Sequence, residues 1–196
     1  MTTATQRRSI TVVLLGNPNT GKSTLFSALV GVRQRTGNYP GVTVEKKIGR
    51  AEFFGSGLEI VDLPGTYSLA PHSPDEMVAV DILLGRREDV PSPDVVVCIV
   101  DGSNLTRNLY LVSQVLEIGI PTVIALNMMD VAERKEIEID VEQLQTKLGV
   151  PVVPIQANRQ VGLEPLKQAI VEASAQECGD DRPSPLPQNV QDEVSA

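Results

Sequence analysis

The 196-residue sequence predicts a three-layer α/β fold, with a mostly parallel six-stranded sheet that has one antiparallel edge strand. Three observations lead to this prediction. Short apolar runs alternate along the chain with segments of helical period. One of these runs, at 95–100, is apolar throughout, as is typical of a central parallel strand that is covered on both faces. The first run is followed at once by a glycine-rich loop and then by a helix.

The first predicted strand and helix enclose the glycine-rich loop. The apolar residues 10–15 predict the strand, and residues 22–30 predict the helix, which Gly31 ends as a C-cap glycine. The next segment, 33–43, contains glycine, asparagine and proline and has no hydrophobic period. We therefore predict a mobile surface loop there.

A β-hairpin is predicted next. Residues 44–54 and 58–61 flank the sequence GSG at 55–57, a turn signal that makes the second strand antiparallel to its neighbour. The third strand leads directly into the sequence DLPG at 62–65. After a further loop, a helix with an acidic first turn is predicted at 75–84.

The second half of the chain alternates strands and helices without a long loop. Apolar runs predict its strands, and apolar residues at helical spacing predict its helices. These elements are, in chain order, a strand at 95–100, a helix at 104–118, a strand at 121–126, a helix at 140–148, a strand at 152–155 and a helix at 162–173. The pattern favours a single domain without internal repeats.

This domain is predicted at 10–176, between two short ends. Residues 1–9 begin the chain with a polar stretch that we expect to be disordered. Residues 177–196 are acidic, contain proline and have few apolar residues. Such a composition cannot bury enough apolar surface to fold, so we predict a disordered tail or linker there.

The composition limits the function classes. The net charge of −8 disfavours a nucleic-acid surface, which needs clustered Lys and Arg. The longest apolar run, at 95–100, is far shorter than the roughly 20 residues of a membrane helix. The first residues lack the apolar segment of a signal peptide, and two cysteines make no disulfide framework. We therefore predict a cytosolic chain without a nucleic-acid partner.

The glycine-rich loop at 16–23 reads GNPNTGKS and matches the phosphate-binding pattern G-x-x-x-x-G-K-[ST]. Its glycines let the backbone approach the phosphates, and its amides can form an anion nest at a helix N-terminus. Lys22 is expected between the β- and γ-phosphates, and Ser23 is expected to ligate Mg2+. The predicted nucleotide-binding residues of this region are Gly16, Asn17, Asn19, Thr20, Gly21, Lys22, Ser23 and Thr24.

An N-x-x-D pattern directly after a buried strand predicts the base. The Asp130 carboxylate can accept hydrogen bonds from both N1–H and the exocyclic amine of guanine, a pair that adenine does not offer. Asn127 is expected to contact the base edge and to tie this loop to the phosphate loop. The usual motif has lysine in second place, and Met128 is expected to pack on the base instead. The chain is therefore predicted to bind GTP and GDP.

The sequence DLPG at 62–65 supplies a D-x-x-G motif at a strand end. Asp62 is expected to hold Mg2+ through a water, and the Gly65 amide is expected to donate to the γ-phosphate. Thr43 is the candidate that completes Mg2+ coordination when GTP is bound. We call the segment 33–43 switch I and the loop that begins at Asp62 switch II, because the γ-phosphate is expected to order both. The motifs in this order predict a Ras-like P-loop GTPase.

The sequences GNPNTGKS, RTGNYPGVTVEKKIG, DLPGTYSL and NMMD together resemble the bacterial ferrous iron transport protein B family. The similarity covers residues 10–175. In that family the G domain stands at the N-terminus of a polytopic inner-membrane protein that imports Fe2+. The resemblance implies a slow GTPase at the cytoplasmic face of the bacterial inner membrane, which switches between GTP and GDP states to control Fe2+ uptake. It implies as partners the transmembrane iron-permease region of the full-length protein, small accessory proteins of the transport system, and further copies in an oligomer.

The resemblance also implies a K+ ion. Ras-like enzymes orient the attacking water with a glutamine just after D-x-x-G, and Thr66, which stands there in this chain, cannot do so. Related GTPases without the glutamine hold K+ with an asparagine of the phosphate loop and carbonyls of switch I. Asn19 matches that asparagine, and Gly37 and Tyr39 lie where the carbonyl donors are expected, so the cation would act like a fixed arginine finger. The predicted catalytic residues are Lys22, Asn19, Thr43 and Gly65.

The chain departs from the family in two places. The loop after the last strand usually carries Ser-Ala, whose alanine amide donates to guanine O6, and this chain reads Gln156-Ala157-Asn158. Ala157 can keep that role, whereas Gln156 is expected to alter how long GDP stays bound. Family members also continue after the G domain into a helical subdomain, which is absent from this chain or truncated.

Two other functions stay open at this point. A soluble Era- or Der-like GTPase of ribosome or tRNA maturation shares the motifs, although the acidic balance disfavours it, and RNA binding that weakens steeply with salt would support it. A module that binds nucleotide without hydrolysing it is the other, because the catalytic glutamine is missing. The sequence has no His/Cys cluster of a transition-metal site, so no bound iron is predicted.

Overall fold

The computed structural model describes residues 9–31 and 34–175, so the predicted tail at 177–196 and the predicted N-terminal segment, apart from Ser9, lie outside the described residues. The described strands are β1 (Ile10–Gly16), β2 (Gln34–Asn38), β3 (Glu45–Phe53), β4 (Ser56–Asp62), β5 (Val95–Asp101), β6 (Thr122–Asn127) and β7 (Val152–Pro154). The described helices are α1 (Lys22–Val30), α2 (Pro74–Leu83), α3 (Leu105–Ile118), α4 (Met129–Arg134), α5 (Val141–Leu148) and α6 (Leu163–Ser174), and 3-10 turns lie at Gly102–Asn104 and Ala157–Arg159.

The seven described strands form one sheet in the order β2-β3-β4-β1-β5-β6-β7. Neighbouring strands from β4 to β7 in this order are parallel, whereas β3 is antiparallel to both β2 and β4. This is the predicted three-layer, mostly parallel α/β fold. The chain lays β4 on one side of β1 and β5 on the other. The loop after β1 therefore lies where the strand order reverses, which is the usual ligand position in open α/β sheets.

Strand β2 was not predicted, and the prediction of a mobile loop at 33–43 is wrong for this part of the segment. Its residues pair with β3 from Gln34 opposite Gly49 to Asn38 opposite Glu45. All five are exposed, so no alternation of apolar side chains marks the strand, and backbone pairing alone defines it. The sheet has seven described strands instead of the predicted six, and the antiparallel strand β3 lies one position inside the edge.

Two further details differ from the prediction. The β3–β4 hairpin turns at Phe54 and Gly55, which have φ of 50° and 78°, so Ser56 already pairs with Phe53. Two successive residues with left-handed backbone are typical of tight hairpin turns. Helix α4 was not predicted, because its six residues are too few to display a helical period.

Two apolar clusters fill the two faces of the sheet. Val12 and Leu14 pack with α1 and α6 on one face, whereas Val13 and Leu15 pack with α2, α3 and α5 on the other. This alternation follows from the period of two in a strand. Residues 95–100 are buried throughout, as predicted for a central strand. Among the helices of the described residues, none combines the length and the apolar character that a membrane crossing needs.

Candidate nucleotide-binding site

The predicted motifs gather at one edge of the sheet. The phosphate loop follows β1, switch II follows β4, the N-x-x-D segment follows β6, and the loop that contains Ala157 follows β7. The carboxyl ends of parallel strands lie along the same edge, so the direction of the strands brings these distant segments together.

The phosphate loop ends at a glycine that the fold requires. Gly21 has a φ of 87°, and α1 begins directly after it. A Cβ at this position would lie 2.4 Å from Asn127 Nδ2, so no side chain fits. Thr20 closes the loop, because its Oγ1 donates to the Asn17 carbonyl at 2.9 Å. No side chain caps the N-terminus of α1, whose first turn includes the exposed Ser23 and Thr24, so its amides are available to an anion.

The two asparagines of the loop have different environments. Asn19 is exposed and has a φ of 66°. Asn17 is 3% exposed, and neither its Oδ1 nor its Nδ2 has a hydrogen-bond partner among the described residues. A buried carboxamide without partners costs free energy. Its presence in this loop indicates a site that a ligand or water completes.

A pocket of about 240 Å3 opens beside the loop and is lined in part by Lys22, Ser23, Asp62 and Gly65. Lys22 Nζ donates to Asp62 Oδ1 at 2.5 Å, and Ser23 Oγ lies 3.4 Å from Asp62 Oδ2. Hydroxyl and carboxylate oxygens are the ligands that Mg2+ prefers, so Ser23 and Asp62 fit the predicted metal. Lys22 and Asp62 form an ion pair in which their opposite charges offset each other.

Switch II lies against the phosphate loop. The Thr66 N–H donates to the Gly16 carbonyl at 3.2 Å, and a Cβ at Gly65 would lie 3.1 Å from Pro18 Cα. Thr66 is fully buried, and its hydroxyl donates to the Ser68 carbonyl at 2.6 Å. Its side chain is therefore engaged within switch II.

Glu76 organises switch II, a role that was not predicted from the sequence. One carboxylate oxygen lies 3.3 Å from Thr66 Oγ1, and the other accepts from the His72 N–H at 2.8 Å. The Glu76 N–H in turn donates to Ser73 Oγ at 3.2 Å. The S-x-x-E spacing at 73–76 is a capping-box signal, and it could have identified this residue.

Asn127 joins the phosphate loop to the loop after β7. Its Nδ2 donates to the Thr20 carbonyl at 2.9 Å, and its Oδ1 accepts from the Ala157 N–H at 3.1 Å. Asn127 is 5% exposed, so water does not compete for these bonds. The expected tie to the phosphate loop is present, and the Ala157 amide, which was expected to donate to guanine, donates to Asn127 here.

The other residues predicted to contact the base lie around this bridge. Met128 is half-buried and has a φ of 60°. The Asp130 carboxylate lies 3.4 Å from the exposed Arg134, and an ion pair of this kind contributes little. Gln156 is half-buried and Asn158 is exposed. Because the ion pair with Arg134 is weak, the Asp130 carboxylate can still accept other hydrogen bonds.

Switch I does not bring Thr43 into the pocket beside Lys22 and Asp62, although Val44 and Glu45, which follow it, line that pocket. Thr43 is exposed and is not among the residues that line the pocket. Gly37 lies within β2, opposite Lys46, and the Tyr39 carbonyl accepts from the Val42 N–H at 3.3 Å. The structure thus brings together the expected Mg2+ ligands of the phosphate loop and switch II, but not the expected ligand from switch I. The Tyr39 carbonyl, predicted to bind K+, is engaged within switch I.

Comparisons with known proteins point to one family. A family model for ferrous iron transport protein B matches residues 10–170. The Fe(2+) transporter FeoB of Salmonella typhimurium is 48% identical over 167 residues, which are 83% of this chain and 21% of that protein. The solved FeoB G-domain from Methanococcus jannaschii has a TM-score of 0.74 and 46% identity, and the match covers 85% of this chain and 98% of that one. A mutant S. thermophilus NFeoB bound to mGDP has a TM-score of 0.80 and 41% identity, over 96% and 70% of the two chains. This chain spans about a fifth of the length of the curated relatives that it matches.

Proposed function

The chain belongs to the ferrous iron transport protein B family, and from this premise we propose that it is a GTP-hydrolysing switch that controls Fe2+ uptake. Its relatives are Fe(2+) transporters, and an S. thermophilus relative binds mGDP. The chain would bind GTP, hydrolyse it slowly to GDP and phosphate, and change conformation between the two states.

One observation carries this proposal. The Asn127 carboxamide connects Thr20 of the phosphate loop with Ala157 of the loop after β7, through two buried hydrogen bonds. A polyphosphate at the first loop and a guanine at the second would therefore belong to one ligand. The Asp130 carboxylate, two residues beyond Met128, would accept from N1–H and the exocyclic amine of the base.

Each residue of the pocket would have a distinct role in hydrolysis. Lys22 would leave Asp62 and bind the β- and γ-phosphates, while the Gly65 amide donates to the γ-phosphate. Ser23, Asp62 and, after movement of switch I, Thr43 would hold Mg2+. Bound Mg2+ supplies positive charge that offsets the negative charge on the phosphates. The Lys22–Asp62 ion pair keeps both groups mostly buried until they exchange partners.

We also propose that K+ stimulates the reaction. The Asn19 carboxamide is exposed in a left-handed backbone conformation, and amide oxygens suit this hard cation. The carbonyls of Gly37 and Tyr39 would join it once switch I rearranges. Thr66 stands where other GTPases have a glutamine, and its hydroxyl is engaged within switch II. The cation would supply charge compensation instead.

The proposed setting is the cytoplasmic face of the bacterial inner membrane. The partners would be the iron-permease region of a full-length transporter, small accessory proteins of the transport system and further copies in an oligomer. The conformational change that these partners sense would come from switches I and II. Switch II borders the pocket, and Thr43 of switch I is predicted to reach it.

The test is GTP hydrolysis by the purified chain in matched KCl and NaCl solutions. We expect K+ to raise the rate about tenfold or more over Na+, and Asn19→Ala to remove that gain. Asn104→Ala is the matched control, because Asn104 is exposed and its side chain makes no capping hydrogen bond at α3. It should keep the response to K+.

Equal rates in the two salts would contradict the K+ proposal and leave a slow GTPase. Absence of turnover in both salts, with GTP bound, would favour a module that signals by occupancy. RNA binding that weakens steeply with salt would favour the Era- or Der-like function instead.

A further inference from the structure

Tyr39 is buried within an exposed segment. It is 1% exposed, whereas Asn38, Pro40 and Gly41 beside it are exposed. Its ring packs in the apolar cluster on the α2 and α3 face of the sheet. Val44, five residues further on, is 5% exposed and packs in the same cluster, so Tyr39 and Val44 together anchor this loop.

Two cations lie over the ring. Lys46 Nζ lies 5.4 Å and Arg87 Cζ lies 5.2 Å from the ring centroid, which is within the range of cation–π contacts. Lys46 belongs to β3, and Arg87 belongs to the loop between α2 and β5. That loop contains none of the nucleotide motifs, so it contacts switch I from outside the site.

Asp89 fixes both cations in place. Its Oδ1 accepts from Arg87 Nε at 2.8 Å, and its Oδ2 accepts from Lys46 Nζ at 3.0 Å. Lys46 Nζ also donates to the Asp89 carbonyl at 2.8 Å, and Arg87 Nη2 donates to the Pro40 carbonyl at 3.4 Å. Burial would raise the pKa of the Asp89 carboxyl, but the hydrogen bonds from Arg87 and Lys46 outweigh burial and lower it. We call Tyr39, Lys46, Arg87 and Asp89 the Tyr39 latch.

The latch holds switch I in a closed turn. The Tyr39 N–H donates to the Val44 carbonyl at 2.9 Å, and the Tyr39 carbonyl accepts from the Val42 N–H at 3.3 Å. Thr43 lies inside this turn and is exposed, and it does not line the pocket beside Lys22 and Asp62, although Val44 and Glu45 do. Movement of Thr43 into that pocket would disturb a turn that is anchored four residues earlier.

We propose that Arg87 and Asp89 are positioning residues that hold switch I in a resting conformation through the ring of Tyr39, and that GTP with Mg2+ must release this latch. The inference rests on the proposed function, because it gives the regulation of the same site. Release of the latch frees the Tyr39 carbonyl from Val42 and lets Thr43 approach the metal. GDP, which has no γ-phosphate to recruit Thr43, binds with the latch closed.

The Tyr39 hydroxyl limits the strength of the latch. It is buried and has no hydrogen-bond partner among the described residues, which penalises the closed state relative to one in which water reaches it. Burial raises its pKa, so the group remains a neutral hydroxyl. Substitution of a cation and removal of the Tyr39 hydroxyl should therefore have opposite effects on the latch. Loss of a cation should open it, and loss of the hydroxyl should tighten it.

The experiment measures the affinities of the full chain for GDP and for a non-hydrolysable GTP analogue, both with Mg2+. We expect Arg87→Ala and Asp89→Ala to tighten binding of the analogue by about threefold to tenfold, while the affinity for GDP stays the same. Tyr39→Phe should weaken binding of the analogue by a similar factor. Arg87→Lys keeps a cation at the ring and should restore the wild-type ratio.

Arg86→Ala is the matched control. Arg86 precedes Arg87, is half exposed and forms one long ion pair with Asp81 at 4.0 Å, so its loss should leave both affinities unchanged. A merely structural latch would lower both affinities together in Arg87→Ala and Asp89→Ala, and this result would overturn the inference. Unchanged ratios in these variants and in Tyr39→Phe would overturn it as well. In either case, if the wild-type chain binds both nucleotides, the proposed function still stands. If the wild-type chain binds neither nucleotide, the proposed function and this inference are both overturned.

Discussion

The absence of a side chain at Gly49 lets β3 approach α1 closely. A Cβ at this position would lie 2.2 Å from Val30 Cγ1 and 2.5 Å from Val30 Cγ2. Valine has little rotamer freedom in a helix, and Val30 is buried, so it cannot turn aside. We expect Gly49→Ala to lower the free energy of unfolding by about 1–3 kcal/mol, as overpacked cores do. Urea denaturation measures the loss.

Gly57→Ala serves as the control, because no heavy atom lies within 4 Å of a Cβ at Gly57. It lies in the neighbouring strand β4 and should change stability by less than about 0.5 kcal/mol. Val30→Ala in the Gly49→Ala background should recover part of the loss by making room. Equal losses at Gly49 and Gly57 would show that the close approach to α1 is not the cause.

At the scale of residues, the sequence is informative where a ligand dictates spacing. The pattern from Gly16 to Ser23 predicted a phosphate loop, because phosphate binding requires a backbone that approaches closely and a cation at a fixed position. The burial of Tyr39 and Thr66 could not be predicted from the sequence. Both depend on partners far along the chain or on the local path of the backbone, such as Arg87 beside the Tyr39 ring, and hydrophobic periodicity carries no information on these.

At the scale of elements, the Asn127 bridge connects three loops that are far apart in the sequence. We expect Asn127→Ala to leave the Thr20 carbonyl and the Ala157 N–H without their partner, at about 1–3 kcal/mol for each buried group. Because the bridge holds the phosphate and base loops in register, affinity for GDP should also fall by about tenfold or more. Thermal unfolding and titration with GDP measure the two effects.

Asn108→Ala is a matched control for this substitution. Asn108 is also buried, its Oδ1 accepts from the Asp101 N–H at 3.3 Å, and its Nδ2 donates to the Asn104 carbonyl at 2.9 Å. These bonds hold the start of α3 outside the nucleotide loops. The variant should lose comparable stability and keep its affinity for GDP. Equal loss of affinity in both variants would mean that general destabilisation, and not the bridge, weakens binding.

Elements were predictable when their own residues define them. Helix α1 begins and ends as expected, because the phosphate loop precedes it and Gly31 follows it with a φ of 65°. Strand β2 was not predictable, because it exists through backbone pairing with β3 and all of its side chains are exposed. A polar edge strand leaves no mark on the apolar pattern, and so the described sheet has one strand that the sequence did not indicate.

At the scale of the molecule, the fold class followed from the alternation of apolar runs with helical segments, since few arrangements bury such strands on both faces. The position of the site then followed from strand direction. Parallel strands end at one edge, and the phosphate loop, Asp62, Asn127 and Ala157 meet there. The conformation of switch I did not follow, because it depends on contacts with distant residues, such as those of the Tyr39 ring with Lys46 and Arg87.

Nucleotide binding should stabilise the whole molecule with a preference for guanine. A ligand that binds the folded state alone, at about 100 times its Kd, adds about 2.7 kcal/mol to stability. For a domain of this size we expect GDP with Mg2+ to raise Tm by about 5–11 °C. ADP at the same concentration should raise Tm far less, because adenine lacks the two donors that the Asp130 carboxylate would accept. Asp130→Ala should reduce the shift with GDP and leave Tm without nucleotide nearly unchanged, since its contact with Arg134 is exposed. Equal shifts with GDP and ADP would contradict base recognition by Asp130, and with it the assignment of this pocket to guanine nucleotides.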